Sequence, residues 1–191
     1  EAHQLTYKYD PANPVPTRGG QNLLIAKGPM DQRPIESRPD VLLFTSEPLT
    51  EPLEVTGRIT GTIFISSDCP DTDFTIKLSD VSPDGKSLLV TDGIRRASLR
   101  NGYERHEPLN EGEVYELEVD LWSTSLVFNK GHRIRIAVSS SNSPRFEPNP
   151  NTGDPNPTAG KTRVATNSLH LSKEHPSRIV LPIYKDESAG R

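Results

Sequence analysis

In the run Tyr115-Glu116-Leu117-Glu118-Val119-Asp120-Leu121, each odd-numbered residue is apolar and each even-numbered one is acidic. Successive side chains of a strand point to opposite faces, whereas a helix would smear this pattern around its circumference, so the run buries its apolar half only as a β-strand. The same period of two recurs along the chain. Leu53, Val55, Ile59, Ile63 and Ile65 share one parity, and Glu54, Thr56, Arg58, Thr60 and Thr62 the other. Phe74, Ile76 and Leu78 alternate with Thr75, Lys77 and Ser79, and Ile134, Ile136 and Val138 with Arg133 and Arg135. Each reads as a strand with one oily face and one wet face.

Turn chemistry punctuates these strands. In Ser82-Pro83-Asp84-Gly85 the proline presets a turn and the glycine takes the positive dihedral, so Leu88-Leu89-Val90 should return antiparallel. Asn129-Lys130-Gly131 is a second turn, and Asp92-Gly93 reads as a third. Gly57 and Gly61 lie on an inward parity and mark a bulge or bend. Further strands are expected at 167–171 and around Ile179, Leu181 and Ile183, with no run at the helical period. One-sided strands in this number need a second oily face to cover them, which makes the chain all-β: a closed or two-sheet antiparallel sandwich with long loops.

A length of 191 residues, with 32 % hydrophobic and 25 % charged residues, fits one domain with a real core. Residues 1–40 carry Pro11, Pro14, Pro16, Pro29, Pro34 and Pro39 together with Gly19-Gly20 and Gly28, and read as an extended lead-in contributing one strand at Leu23-Leu24-Ile25-Ala26. The sandwich proper should occupy 41–184, with 185–191 frayed. Twenty-six acidic residues against 22 basic ones, interspersed along the chain, give a net charge of -4 and no focused positive field. Neither nucleic acid nor a membrane surface is an expected partner. Cys69 is the single cysteine, so no intrachain disulfide forms. The opening residues lack the pattern of a signal peptide, and the compartment stays open, with the cytoplasm as the expectation.

The residues of a reaction are harder to find. A serine nucleophile on a sharp strand-to-helix turn needs Gly-x-Ser-x-Gly, which does not occur, and a triad of Ser140, His132 and Asp120 has nothing in its spacing to support it. Cys69 sits beside Asp68, whose charge opposes a thiolate. His3, His106, His132, His170 and His175 have no short metal-ligand spacing, and no phosphate loop or dinucleotide fingerprint implies a cofactor. Asp68, Asp71, Asp73 and Asp80 form the best acidic cluster, with Asp68, Asp71 and Asp73 readable as a calcium candidate or as local turn hydrogen bonding. Trp122 is expected in the core or in a seam with another domain; exposed, it would favour a stand-alone carbohydrate- or ligand-binding module.

Short strings spread over nearly the whole chain carry a resemblance. They are Gly28-Pro29-Met30-Asp31-Gln32-Arg33-Pro34, Leu53-Glu54-Val55-Thr56-Gly57, Asp71-Thr72-Asp73-Phe74-Thr75, Val81-Ser82-Pro83-Asp84-Gly85, Asp92-Gly93-Ile94-Arg95, Gly131-His132-Arg133-Ile134, Ser139-Ser140-Ser141-Asn142, Asn151-Thr152-Gly153 and His175-Pro176-Ser177. In this order they resemble the C-terminal β-sandwich of the CocE/NonD serine hydrolases, a family that includes cocaine esterases, X-prolyl dipeptidyl peptidases, α-amino acid ester hydrolases and glutaryl acylases. The resemblance implies a jelly roll of galactose-binding-like type. It also implies that the Ser-Asp-His triad lies in a preceding α/β-hydrolase domain with a helical cap, so no catalytic residue is carried onto this chain. By the same resemblance the catalytic and cap domains are the partners, and Leu24 and Ile25 face the acyl side of the pocket. Ser139, Ser140, Ser141, Asn142, Arg145 and Phe146 are expected at the interdomain rim, where a domain taken from its partners leaves apolar seam residues exposed.

Overall fold

The computed structural model describes residues 4–185. Nine strands run in chain order: β1 Gln4–Tyr9, β2 Leu42–Thr45, β3 Leu53–Ser67, β4 Asp73–Val81, β5 Ser87–Arg96, β6 Tyr115–Phe128, β7 Arg133–Ser139, β8 Ala165–His170 and β9 Arg178–Val180. A single turn of helix, α1 (Arg33–Glu36), precedes β2. The expected fray at 185–191 lies, apart from Lys185, outside the described residues.

The strands form two antiparallel sheets. The first has the order β1-β8-β3-β6, with β9 paired to β3 beside β8; the second has the order β2-β7-β4-β5. Their facing sides make one core, in which Val55, Ile59, Ile63 and Ile65 of β3 and Leu117, Val119 and Leu121 of β6 meet Phe74, Ile76 and Leu78 of β4 and Val138 of β7. All of these were on the inward parity. The assembly is an antiparallel β-sandwich.

At the β5 and β6 edge the sheets lean together: Thr91 donates to the Leu121 carbonyl at 2.5 Å, and a Cβ at Gly93 would run into the Asp120 carbonyl. Asp92-Gly93 is therefore not a turn. It lies inside β5, and its glycine permits a close backbone approach.

The Ser82–Gly85 turn is formed as expected, with the Gly85 N–H donating to the Ser82 carbonyl and β4 returning into β5. The bulge or bend expected from Gly57 and Gly61 is met in part: the extra residue lies on β6, and Gly61 pairs in regular register with Val119. The register with β6 shifts between Arg58 and Thr60, Gly57 has φ 135°, and the Pro182 ring stands 3.0 Å from where a Gly57 Cβ would be.

The strand expected at Leu23–Ala26 is absent: those residues form a bend closed by paired Gly20 and Gly28. The N-terminal strand is β1 instead, with Tyr7 and Tyr9 buried and Lys8 exposed. Leu5, Tyr7 and Tyr9 against Thr6 and Lys8 are the alternation that marks it. Trp122 is not in the core. It is the extra residue of the β6 bulge, 56 % exposed and held at φ 65°, a conformation that costs a bulky L-residue about 1–2 kcal/mol.

Candidate interdomain face

On the outer side of the second sheet, Thr75, Lys77 and Ser79 are buried, with Lys77 only 4 % exposed, although their alternation marked that face as wet. The lead-in lies across it. Val15, Gln32, Ile35, Glu36 and Val41 close over Lys77, Ser79, Ala137 and Ser139. Pairing fixes the cover in place. The Thr17 N–H donates to the Ser143 carbonyl at 2.6 Å, the Ser143 N–H to the Val15 carbonyl at 2.9 Å, and the Val15 N–H to Ser141 Oγ at 2.9 Å.

Under this cover lies a charged cluster. Arg145 Nη1 stands 2.7 Å from Asp92 Oδ1, and Asn142 Nδ2 donates to Asp92 Oδ2 at 2.8 Å. Burial lifts the Asp92 carboxyl above the ordinary carboxylate range, opposed by the pull of Arg145 and Lys77. Burial also lowers Lys77 to about 8, against the attraction of Asp92. The Lys77 ammonium donates to Gln32 Oε1 at 3.4 Å, while Glu36 bridges Ser87 and Arg135 at 2.6 Å each. Adjacent residues thus link the lead-in to β4, β5 and β7.

Ser139, Ser140, Ser141 and Asn142 are all buried, so they are not an exposed rim on this chain. Ser139 Oγ lies 2.6 Å from Thr75 Oγ1. Ser140 Oγ pairs with the Tyr7 hydroxyl at 2.8 Å and accepts from Asn167 Nδ2 at 2.8 Å. Asn167 is completed by Ser67 and Thr72. The polar end of β7 is an internal seam that ties the two sheets and the lead-in together, because a buried hydroxyl or amide is costly without a partner. Arg145 and Phe146 reach nearer the surface, following the cis peptide bond between Ser143 and Pro144.

Leu24 and Ile25 sit in the Gly20–Gly28 bend. Leu23 and Leu24 are 91 % and 90 % exposed, and the bend lines an open depression with Pro144 and Arg145. The bend is held from within: Asn22 Nδ2 donates to the Gly19 carbonyl at 2.9 Å, and its Oδ1 accepts from the Ile25 N–H at 3.1 Å. Two large apolar side chains are therefore presented to solvent on a fixed support, with the Arg145–Phe146 end of the loop beside them.

The candidates for chemistry fall apart in space. Ser140 belongs to the Tyr7–Asn167 network, His132 Nδ1 pairs with Asp80 at 2.8 Å, and Asp120 pairs with Arg58. No triad joins them. The Cys69 thiol is buried and pushed up to about 12 by burial and the neighbouring Asp68. Asp68, Asp71 and Asp73 do not converge as a ligand set, nor do they serve local turns. Asp68 accepts from Thr166 of β8, Asp71 from the Ser98 N–H and Asn149, and Asp73 from Arg96 and Asn149. Among the described residues no group of three or more His, Cys, Asp or Glu side chains is placed to hold a metal.

In this β-sandwich with a strapped second sheet, the serine, histidine, cysteine and aspartate side chains that the sequence offered for chemistry are committed to separate partners and build no catalytic set among the described residues. Comparison with known proteins agrees. The family model described as the X-Pro dipeptidyl-peptidase C-terminal non-catalytic domain matches residues 2–180, and the chain belongs to that family. It is 47 % identical over 184 residues to a cocaine esterase of Rhodococcus sp. (strain MB1 Bresler), covering 94 % of this chain and 32 % of that protein. The solved structure of an aminopeptidase from a marine sediment archaeon, Thaumarchaeota archaeon, superposes with a TM-score of 0.87 at 32 % identity, over 95 % of this chain and 33 % of the other. An α-amino acid ester hydrolase superposes with a TM-score of 0.88 at 31 % identity, over 96 % and 33 % of the two chains. The chain therefore spans about a third of the length of these relatives.

Proposed function

We propose that this chain is the C-terminal jelly roll, of galactose-binding-like type, of a longer serine hydrolase that cleaves esters or amides through an acyl-enzyme. In this reading it packs on the α/β-hydrolase and helical cap domains of the same polypeptide. The lead-in side of the second sheet is the docking face, with Leu24 and Ile25 on the acyl side of the pocket.

The carrying observation is the bend at Leu23 and Leu24. Side chains about 90 % exposed on an internally bonded support bury apolar area only against something beyond this chain. The test is made on the full-length enzyme. Leu24→Asp and Ile25→Asp should lower kcat/KM for esters with bulky acyl groups by about tenfold or more, with a smaller effect on acetyl esters. Equal rates for variants and parent sink the reading, and so does esterase activity in the isolated 191-residue chain.

A second reading has one observation in its favour, the exposed Trp122 held at positive φ beside the Arg58–Asp120 pair. An aromatic face next to paired polar groups suits a sugar ring. Glycan binding by the isolated chain that disappears in Trp122→Ala would favour a carbohydrate-binding module; silence on a glycan array removes it.

A further inference from the structure

Arg95 and Arg96 are neighbours at the end of β5, and their guanidinium groups meet different surroundings. Arg96 is held by Asp73, at 2.9 Å and 3.2 Å, and stands 3.7 Å from Asp71. Arg145, on the other side, is held by Asp92. Among the described residues the Arg95 side chain takes part in no hydrogen bond and no ion pair, and its Nε is buried without an acceptor. Its guanidinium carbon lies 5.2 Å from the ring centroid of Tyr103, itself 80 % exposed. Ile94, Leu99, Tyr103 and Phe146 line the same open groove, of about 360 Å³, and Arg145 lines both this groove and the depression at Leu23–Ile25.

We infer that Arg95 is a socket for a carboxylate side chain, carried on an otherwise apolar segment of the polypeptide that packs on this face; the inference rests on the docking proposed above. A guanidinium presents a planar fork matched to a carboxylate, and its neighbours already have their acids. Nε is shut off from water and so from any incoming group; the two Nη groups, which make no hydrogen bond within the described residues, are the donors that an incoming carboxylate pairs with. Tyr103 and Phe146 give the occupant aromatic walls, and Ile94 and Leu99 an apolar floor. Asp73, Arg96, Arg145 and Glu147 line the groove as well; Arg96 and Arg145 are paired with Asp73 and Asp92, so Arg95 is the cation of the groove that makes no ion pair, and it selects a segment that carries an acid among apolar residues, in keeping with the mixed character of interfaces between domains. The groove is open and shares Arg145 with the depression at the exposed leucines, a shape for a segment of chain rather than for an enclosed small molecule. About two thirds of the length of each relative lies outside the matched region, which is ample chain to supply it.

The experiment compares Arg95→Glu, Arg95→Lys and Leu24→Asp in the full-length protein and in the isolated chain, by amide hydrogen exchange over residues 94–103 and 143–147 and by thermal melting. In the full-length protein, Arg95→Glu should speed exchange in those segments about tenfold or more and lower the melting temperature. Arg95→Lys should fall between, keeping the charge and losing the fork. In the isolated chain, none of the three variants should move exchange or melting. Equal effects of Arg95→Glu in both forms would show an internal role and overturn the socket, as would no effect in the full-length protein. If Leu24→Asp loosens the full-length protein while Arg95→Glu does not, the socket is wrong and the docking face stands. If neither variant matters, both fall.

Discussion

The two sheets are written in the same alternating code, and their polar faces end in opposite environments. On the first sheet the outward side chains of β3 and β6 stay in water: Glu116 and Glu118 are exposed, and the Arg58–Asp120 pair is open to solvent. On the second sheet the equivalent side chains Thr75, Lys77 and Ser79 are sealed beneath residues 13–41. The first face needs nothing beyond hydration. The second needs partners for its donors and acceptors, and several come from residues 50 to 100 positions away, such as Asn142 for Asp92 and Glu36 for Arg135. Burial turns ordinary surface residue types into structural ones. It also explains how a bend carrying exposed leucines is held firmly enough to form an interface.

The sharpest way to break the contrast is to remove one acid from each face. Asp92→Ala strands Arg145, Asn142 and Lys77 in a buried site and should cost about 3–5 kcal/mol in urea unfolding, as expected when one partner of a buried ion pair is removed. Asp120→Ala on the wet face should leave the urea midpoint almost unchanged, because exposed pairs contribute little. Equal losses would mean that the lead-in does not exclude water in solution. Next in size, Ile35→Ala on the buried side of the strap should cost about 2–4 kcal/mol, while Val180→Ala, half-exposed on β9, should stay within about 0.5 kcal/mol.

The smallest effect is a pH dependence. Lys77 titrates at about 8 when folded, below its unfolded value, so between pH 8 and 10 the unfolded chain binds the extra proton and this residue makes stability rise with pH. Cys69, pushed up to about 12, contributes the opposite slope above pH 9. The Lys77 part is therefore read as the difference between the parent chain and Lys77→Met. That difference should change by on the order of 1 kcal/mol per pH unit from 8 to 10. A flat difference would show that Lys77 is hydrated and that the two faces are alike.

Much of the sandwich was legible because alternation reports directly which side of each strand is apolar. Val55, Ile59, Phe74, Ile76, Leu117 and Val119 all reached the core from the parity assigned to them. Alternation is silent about what lies over the other side, and the errors fall there. Ser139–Asn142 read as a rim because serine and asparagine favour loops, yet they lie inside, where Tyr7, Val15, Thr75 and Asp92 pair with them. Leu23–Ala26 read as a strand from its composition, but the pairing of Gly20 with Gly28 leaves those residues in a bend. Trp122 read as a residue of the core or of a seam with another domain, and it is the core placement that fails. The β6 bulge turned it outward, and a bulge of one residue leaves little trace in a pattern of period two.

The sequence by itself determined that this chain is an antiparallel sandwich, which residues fill its core, and that it resembles the non-catalytic end of a serine hydrolase. Those conclusions depend on local periodicity and ordered strings, which survive in one dimension. Only the tertiary structure decided which sheet is strapped, why Lys77 and Asp92 are buried together, and why Arg95 stands without a partner between two paired arginines. The reason is physical: burial and pairing are properties of what comes to lie against a side chain. For the lead-in and the second sheet, that neighbour arrives from distant parts of the chain.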